Sequence, residues 1–207
     1  QQHSQRAIID YQDFDLAAQE TVNFIQPNAQ AAVLNRVIGG DLAEIYGRIN
    51  ANGQVFLINP NGVMLGQGAE LNVGGLLITS LDINQADFLA GNDLALQAAD
   101  DAGSVDNRGT IHARQQVLML APEVANSGTI QADAVGLHSA GRALVRTAGS
   151  QIPVLVEREI LAGQGEVINQ GRIDAAAVAL TGAGKDAQVS NSGVIRAVRA
   201  SNQGGVI

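Results

Sequence analysis

The sequence predicts an all-β protein that folds as a parallel β-helix, a solenoid of stacked coils about 20 residues long. Glycine is frequent, at 24 residues, and marks tight corners between short apolar runs. All aromatic residues lie before residue 90, so the second half must have a narrow interior filled by small aliphatic side chains. The strongest signal is a repeated pattern, V-x-N-x-G-x-I-x-A. Its four copies cover residues 105–113, 124–132, 167–175 and 189–197.

The repeated pattern distinguishes between two kinds of solenoid. Leucine-rich repeats have a similar period, but they require regular leucines and a helical half, which this sequence lacks. In a parallel β-helix, equivalent residues of successive coils lie above one another, and stacked asparagines can form a hydrogen-bonded ladder. We therefore expect the asparagines of the pattern to form one structural column at a corner. These residues are Asn107, Asn126, Asn169 and Asn191.

The spacing of the column is uneven. The four asparagines are 19, 43 and 22 residues apart. Because the middle spacing is close to two periods, it predicts one further coil, with a disguised sequence, between Ala132 and Val167.

The first 46 residues contain β-prone segments separated by Gln, Asn and Ala linkers, and we assign residues 1–46 to an N-terminal cap region. Thr21–Ile25 is one such segment, and Leu34–Ile38 is another. Asp41 to Tyr46 is predicted to form one helical turn with Asp41 as its N-cap, ending at Gly47.

The segment from Gly47 to Ile83 has the clearest strand and turn signals. Val55–Ile58 is an apolar run between turn residues, which predicts a strand buried on both faces. Asn59-Pro60-Asn61-Gly62 follows it and matches the four positions of a type I turn. Gly47 to Ala51 is an earlier partial copy of the repeated pattern. We assign residues 47–140 to the core coils of a single domain that spans residues 1–207.

The period is broken over residues 141–163, where Arg, Glu and Pro surround apolar pairs such as Val154-Leu155. We interpret this segment as an excursion beside the solenoid, with its charged residues in solvent. Residues 164–207 then return to coils, and the last four residues resemble the opening of another coil. We expect the chain to continue beyond them.

Composition excludes several classes of function. The net charge is −8 and there is no basic stripe, so nucleic acid and anionic membranes are poor partners. The absence of cysteine excludes disulfides and thiolate metal sites. No apolar run is long enough for a membrane-spanning helix, and the first residues are not a signal peptide.

No group of residues predicts chemistry. His3, His112 and His138 are isolated, with no second ligand at metal spacing. Gly182 to Asp186 resembles a phosphate loop but lacks its first glycine and its Ser or Thr. Asp100-Asp101 is a loop pair without the repeats of a calcium-binding solenoid. We therefore expect no catalytic residues, no cofactor, no metal and no small-molecule substrate.

Several blocks in order resemble the secretion domain of two-partner secretion exoproteins, the filamentous-haemagglutinin-like adhesins. The high-molecular-weight adhesins of Gram-negative bacteria are an especially close likeness, mainly over residues 1–135. The blocks are Arg6 to Asp10, Thr21 to Phe24, Leu34 to Val37, Asn52 to Gly62, Thr79 to Ile83 and Leu120 to Val124.

The resemblance implies a right-handed parallel β-helix with an N-terminal cap and extra-helical strands. It also implies export through a TpsB-type outer-membrane transporter, which recognises the domain by its periplasmic POTRA domains, and folding that nucleates outside the cell. The secretion and folding motif would be Asn59, Pro60, Asn61 and Gly62, with Asn35 and Arg36 from an earlier block. Many relatives carry an earlier Asn-Pro-Asn-Leu motif. Here Gln26 to Ala29 is the nearest phrase, so that motif's role cannot be transferred.

The leading hypothesis is a monomeric, non-enzymatic secretion and folding-nucleation module of a large Gram-negative exoprotein, secreted or held at the cell surface. One alternative is a glycan-binding adhesin module, which exposed aromatic residues on a coil face would favour. The other is a polysaccharide-active β-helix enzyme, which would need carboxylates grouped on adjacent coils.

Overall fold

The computed structural model describes residues 1–146, 154–155 and 165–197. In chain order the first elements are β1 (Arg6–Tyr11), β2 (Thr21–Phe24), β3 (Ala32–Val37), β4 (Ala43–Ile45), β5 (Arg48–Ala51), β6 (Gln54–Ile58), β7 (Val63–Leu65), β8 (Glu70–Val73), β9 (Gly75–Thr79), β10 (Asp82–Ile83), α1 (Gln85–Ala90) and β11 (Leu94–Gln97). The expected features at residues 147–153, 156–164 and 198–207 lie outside the described residues.

The later elements are all strands. They are β12 (Val105–Asn107), β13 (Thr110–Ala113), β14 (Gln116–Ala121), β15 (Glu123–Asn126), β16 (Thr129–Gln131), β17 (Ala134–Ser139), β18 (Arg142–Val145), β19 (Val154–Leu155), β20 (Glu166–Asn169), β21 (Arg172–Ala175), β22 (Ala177–Gly182), β23 (Gln188–Asn191) and β24 (Val194–Ala197).

Three parallel sheets surround one interior. Sheet 1 has the order β1-β3-β6-β9-β14-β17-β22, sheet 2 the order β23-β20-β15-β12-β7-β4, and sheet 3 the order β2-β5-β8-β13-β16-β21-β24. All pairings in these sheets are parallel, and the chain visits sheets 3, 1 and 2 in turn. This arrangement is a parallel β-helix, as the repeat predicts.

The interior consists of stacked columns of aliphatic side chains. In sheet 3 one column is formed by Ile49, Leu71, Ile111, Ile130 and Ile173, each at most 1% exposed. Burial of each such side chain contributes about 1.5–3 kcal/mol of transfer free energy. The regular spacing of Val and Ile in the repeated pattern therefore produces the core directly. The pattern's Val lies on sheet 2 and its Ile lies on sheet 3.

A second apolar core lies on the outer face of sheet 1. Within β6, Val55 and Leu57 face the solenoid interior, while Phe56 and Ile58 belong to this outer core. All four residues are buried, so the prediction of a strand buried on both faces is confirmed. The cover is an antiparallel sheet of order β10-β11-β18-β19 together with α1, which we call the outer sheet.

The outer sheet corrects the domain boundaries expected from the sequence. The sequence predicts core coils at residues 82–97, yet these residues form β10, α1 and β11 outside the solenoid. Asn84 caps the start of the helix, where its side chain accepts hydrogen bonds from two backbone amides, and Gly91 caps its end in a left-handed conformation. Leu94 and Leu96 lie on the same face of β11 and are buried against sheet 1. Their apolar side chains are therefore buried outside the solenoid and not inside a coil.

The predicted hidden coil between Ala132 and Val167 is wrong. β15 pairs directly with β20, and β17 pairs directly with β22, so no coil lies between them. Part of the extra sequence instead forms β18 and β19 in the outer sheet. Spacing alone could not distinguish an insertion from a full coil, because both add a similar number of residues.

The N-terminal segment also differs from expectation. β1, the bridge from Leu16 to Ile45, and β2 occupy sheets 1, 2 and 3, and their register continues into the later coils without a boundary at residue 46. The predicted helical turn at Asp41 to Tyr46 is wrong. Ala43 and Ile45 are both buried in β4, and this two-residue alternation favours a strand over a helix.

Candidate functional site

Asn59 to Gly62 forms the corner where the chain passes from sheet 1 to sheet 2. The backbone amide of Gly62 donates to the carbonyl of Asn59 at 2.9 Å, which closes the turn. The side-chain Oδ1 of Asn59 accepts from the backbone amide of Asn61 at 3.0 Å. Pro60 fixes the backbone between them. The tetrapeptide therefore forms the tight turn that its sequence predicts.

The two asparagine side chains join this corner to the preceding coil. Asn59 is fully buried, and its Nδ2 donates to the backbone carbonyl of Asp41 at 2.9 Å. Asn61 is exposed, yet its Nδ2 donates to the carbonyl of Gly39 at 2.9 Å. Each side chain satisfies a carbonyl in a loop that has no strand pairing at that point, so the corner is held by amide groups.

The following coil holds the corner from the other side. The backbone amide of Gly103 donates to the carbonyl of Pro60 at 2.8 Å. A Cβ on Gly103 would lie 2.1 Å from the carbonyl oxygen of Asn61, and Gly62 has φ of +102° with a Cβ position 2.6 Å from the carbonyl oxygen of Ser104. Side chains at either glycine would separate the stacked corners.

Asn35 and Arg36 point to opposite faces of sheet 1. Asn35 is buried inside the solenoid, where its Nδ2 donates to the carbonyl of Phe56 at 3.4 Å and its Oδ1 accepts from the hydroxyl of Tyr11 at 3.3 Å. Burial raises the pKa of Tyr11, which keeps this hydroxyl a donor. Asn35 thus satisfies polar groups within the apolar interior of the first coils.

Arg36 connects sheet 1 to the outer sheet. Its guanidinium makes a two-pronged contact with Asp82, with Nε–Oδ1 and Nη2–Oδ2 distances of 3.1 and 2.7 Å. The two side chains are 26% and 41% exposed, so solvent weakens the pair, but the paired geometry still fixes β10 against β3. Although Arg36 is in register with Ile58, next to the corner, its partner lies elsewhere.

The four asparagines of the repeated pattern form one column along sheet 2. Nδ2 of each donates to Oδ1 of the next, at 2.7 Å from Asn107 to Asn126, 2.7 Å from Asn126 to Asn169 and 2.6 Å from Asn169 to Asn191. The first three are buried. The neighbouring glycines permit this stacking, since a Cβ on Gly128 would lie 2.1 Å from the carbonyl oxygen of Gly109.

A second asparagine ladder, which the repeated pattern does not predict, lies on the outer face of sheet 3. Asn50 donates to Asn23 at 3.0 Å, and Asn72 donates to Asn50 at 3.3 Å. The three residues follow a Val, Ile or Leu in T-V-N-F, R-I-N-A and E-L-N-V, so a comparison of these strands would have revealed them. Their differing flanks concealed the periodicity.

The segment from Gln26 to Ala29 also forms a corner that side-chain hydrogen bonds stabilise. The Nε2 of buried Gln26 donates to the carbonyls of Ala31 and Gln54, and its Oε1 accepts from the amide of Gly53. The Oδ1 of Asn28 accepts from the amide of Ala31 at 2.9 Å. A side-chain amide therefore joins the first two coils here, although the sequence is not Asn-Pro-Asn-Leu.

The described residues contain little that could support catalysis or bind a metal. No group of three or more His, Asp or Glu side chains within them could hold a metal ion. An open groove of about 480 Å³ on sheet 3 has Asp133 and Asp174 in its wall, but Asp174 is paired with Arg172 at 2.7 Å. His138 is buried beside Thr181, and burial lowers its pKa to about 4. Within the described part of the chain, no helix is both long and apolar enough to cross a membrane.

The fold places this chain among the parallel β-helix domains, and side-chain amides join its corner to a neighbouring coil. The family model of the TPS secretion domain matches residues 1–207, and the chain belongs to this family. It is therefore a secretion domain of the two-partner secretion type, as the sequence resemblance indicates, and the matched family is not an enzyme family.

Known proteins with similar sequences and structures agree with this assignment. A heme/hemopexin-binding protein of Haemophilus influenzae is 50% identical over 84 residues, which cover 41% of this chain and 9% of that protein. A second, from strain Rd, is 38% identical over 131 residues, 60% of this chain and 14% of that protein. The chain thus spans a small part of these relatives. The crystal structure of the HMW1 secretion domain from Haemophilus influenzae has a TM-score of 0.70 and 26% identity, covering 95% of this chain and 59% of that one.

Proposed function

We propose that this domain directs a large exoprotein to a TpsB-type outer-membrane transporter, whose periplasmic POTRA domains recognise it, and then nucleates folding of the exoprotein outside the cell. The exoprotein is secreted or remains at the surface of a Gram-negative bacterium, and the domain acts as a monomer without enzymatic activity. The observation that carries the proposal is the corner at Asn59 to Gly62, locked to both neighbouring coils, within a chain of the TPS secretion domain family.

The corner supports nucleation because it fixes the register between coils. A strand shifted by one residue would turn its interior side chains toward solvent. Asn59 and Asn61 prevent such a shift by donating to the carbonyls of Asp41 and Gly39. The amide of Gly103, in the following coil, then donates to the carbonyl of Pro60. Three successive coils are thus aligned at one corner, and later coils inherit that alignment through strand pairing.

The test is secretion of this domain, with a native leader, by cells with and without the transporter. We expect transporter-dependent release that falls severalfold in Asn59→Ala, which removes the hydrogen bonds of this side chain to the carbonyl of Asp41 and the amide of Asn61, worth about 0.5–1.5 kcal/mol each. Asn61→Ala removes a solvent-exposed bond and should have a smaller effect. Asn23→Ala, on the outer ladder, is the matched control and should be released normally. Equal release without the transporter would refute the proposed function.

A further inference from the structure

The chain segments that lead into sheet 2 in the first coils stack into one continuous surface, which we call the acidic corner. It consists of residues 12–15, 38–44, 59–62 and 99–104. A Cβ on Gly39 would lie 2.0 Å from the carbonyl oxygen of Gln12, Asn61 binds Gly39, and Gly103 binds Pro60. At about 4.8 Å per strand, four stacked segments form a surface about 15 Å long.

The acidic corner combines exposed apolar side chains with charge of one sign. Ile38 is 51% exposed and Leu42 is 39% exposed. Half-buried Pro60 belongs to the segment of the next coil, where a Cβ on Gly62 would lie 3.1 Å from Cδ1 of Leu42. The four segments contain no Lys, Arg or His. All their carboxylates are exposed, and these are Asp13, Asp15, Asp41, Glu44, Asp100 and Asp101. Exposed apolar groups rimmed by charge are typical of surfaces that bind another protein.

We propose that the acidic corner is the surface that the transporter's periplasmic region contacts, through a basic surface with an apolar centre. This inference rests on the proposed function and adds the location and chemistry of the contact. Charge complementarity requires a positively charged contact surface on the partner, because docking of an acidic surface here would place like charges together at a cost of several kcal/mol. The strand-paired backbone beneath the loops supplies a rigid surface, so little ordering free energy is lost on binding.

The corner at Asn59 to Gly62 positions part of the acidic corner. The hydrogen bonds from Asn59 and Asn61 hold the 38–44 loop, which carries both exposed apolar residues and two of the carboxylates. The amides of this corner therefore position the contact surface without themselves providing most of it. Loss of Asn59 would affect recognition through the 38–44 loop.

The experiment measures binding of the purified domain to the purified transporter in detergent micelles, at low and high salt, beside transporter-dependent secretion. We expect the double variant Ile38→Ser with Leu42→Ser to bind at least about tenfold more weakly. Charge reversal by Asp41→Lys with Glu44→Lys, or separately by Asp100→Lys with Asp101→Lys, should lower affinity by about tenfold and flatten the salt dependence.

Matched controls separate a contact from a folding defect. Leu89→Ser removes an equally exposed apolar side chain on α1, and Glu123→Lys with Asp133→Lys reverses two exposed carboxylates elsewhere. Both controls should bind as wild type. Each variant's melting temperature is measured, and because the two charge pairs lie in different coils, a folding defect in one leaves the other as the test.

The outcomes are distinguishable. If the folded corner variants bind and are secreted as wild type, while wild type still requires the transporter, the acidic corner is overturned and the proposed function stands. If wild type neither binds the transporter nor requires it for release, both are overturned. Weak binding by the corner variants alone supports the surface.

Discussion

At the scale of single residues, amide side chains join neighbouring coils at corners, where the backbone does not form strand pairs. Asn59, Asn61 and Gln26 each donate to carbonyls of a neighbouring coil. Each such hydrogen bond contributes about 0.5–1.5 kcal/mol, so these side chains help to hold the stacked loops together. Short neutral amides suit the task because they carry both a donor and an acceptor and remain uncharged when buried.

Among the residues that the structure describes, His138 has a pKa that the fold changes strongly. It is 6% exposed, beside Thr181 in register, and burial lowers its pKa from 6.5 to about 4. The unfolded chain therefore takes up a proton near pH 6.5, whereas the folded chain does so only near pH 4. Stability from this residue is complete above pH 6.5 and is lost as the pH falls toward 4, by about 3 kcal/mol in total.

The measurement is urea unfolding between pH 4 and 7 for wild type and His138→Gln. Carboxylates also titrate at the acid end, so the informative quantity is the difference between the two proteins. We expect the free energy of unfolding of wild type, measured relative to that of His138→Gln, to fall steadily as the pH falls below 6.5. A difference that is constant across this range would show that His138 is not buried as a neutral group.

At the scale of structural elements, the asparagine column of sheet 2 stabilises the stacking of coils. Asn126 both donates to Asn169 and accepts from Asn107, within a buried environment. Asn126→Ala should destabilise the domain by about 2–4 kcal/mol, because it leaves amide groups on both neighbours without partners. Asn50→Ala interrupts the partly exposed ladder of sheet 3 in the same way, where water replaces the lost bonds, and should cost under about 1 kcal/mol. Thermal or urea unfolding of the pair gives the comparison, and equal losses would contradict the role of burial.

The parts of the fold that were predicted from sequence are those fixed by short-range patterns. The V-x-N-x-G-x-I-x-A pattern specifies inward Val and Ile, a corner Asn and a glycine that the next coil approaches closely, so one coil's sequence contains the geometry of the stack. The turn at Asn59 to Gly62 is equally local. These features need no knowledge of distant residues.

The parts that were not predicted depend on distant pairing. β11 pairs with β18, which lies more than forty residues later, and neither segment carries the repeated pattern. The corner at Asn59 showed its turn in sequence, but its partners Asp41 and Gly39 became known only when the coils were stacked. The expected helical turn at Asp41 to Tyr46 failed for the same reason, since its buried alternation depends on pairing with β7.

At the scale of the whole molecule, the domain is not a simple stack of independent coils. In a simple solenoid each repeat contacts only its neighbours, and stability is nearly a sum over adjacent pairs. Here the outer sheet lies across sheet 1, and Phe88 of α1 contacts Phe56 at a ring distance of 5.2 Å and Arg6 of β1 at 5.2 Å. The first coils therefore depend on residues that enter the structure much later in the chain.

Two truncations that differ by six residues test this dependence. A chain ending at residue 140 and one ending at residue 146 contain the same coils, but only the longer one has β18, which pairs with β11 and buries Ala143 and Val145. We expect the shorter chain to be less stable by about 3 kcal/mol, because it loses that burial and uncovers Leu94 and Leu96. It should also be cleaved faster by protease within residues 82–97. Equal stability in urea would mean that coils alone hold the domain together. A large difference would mean that the first coils reach full stability only once β18 has paired with β11.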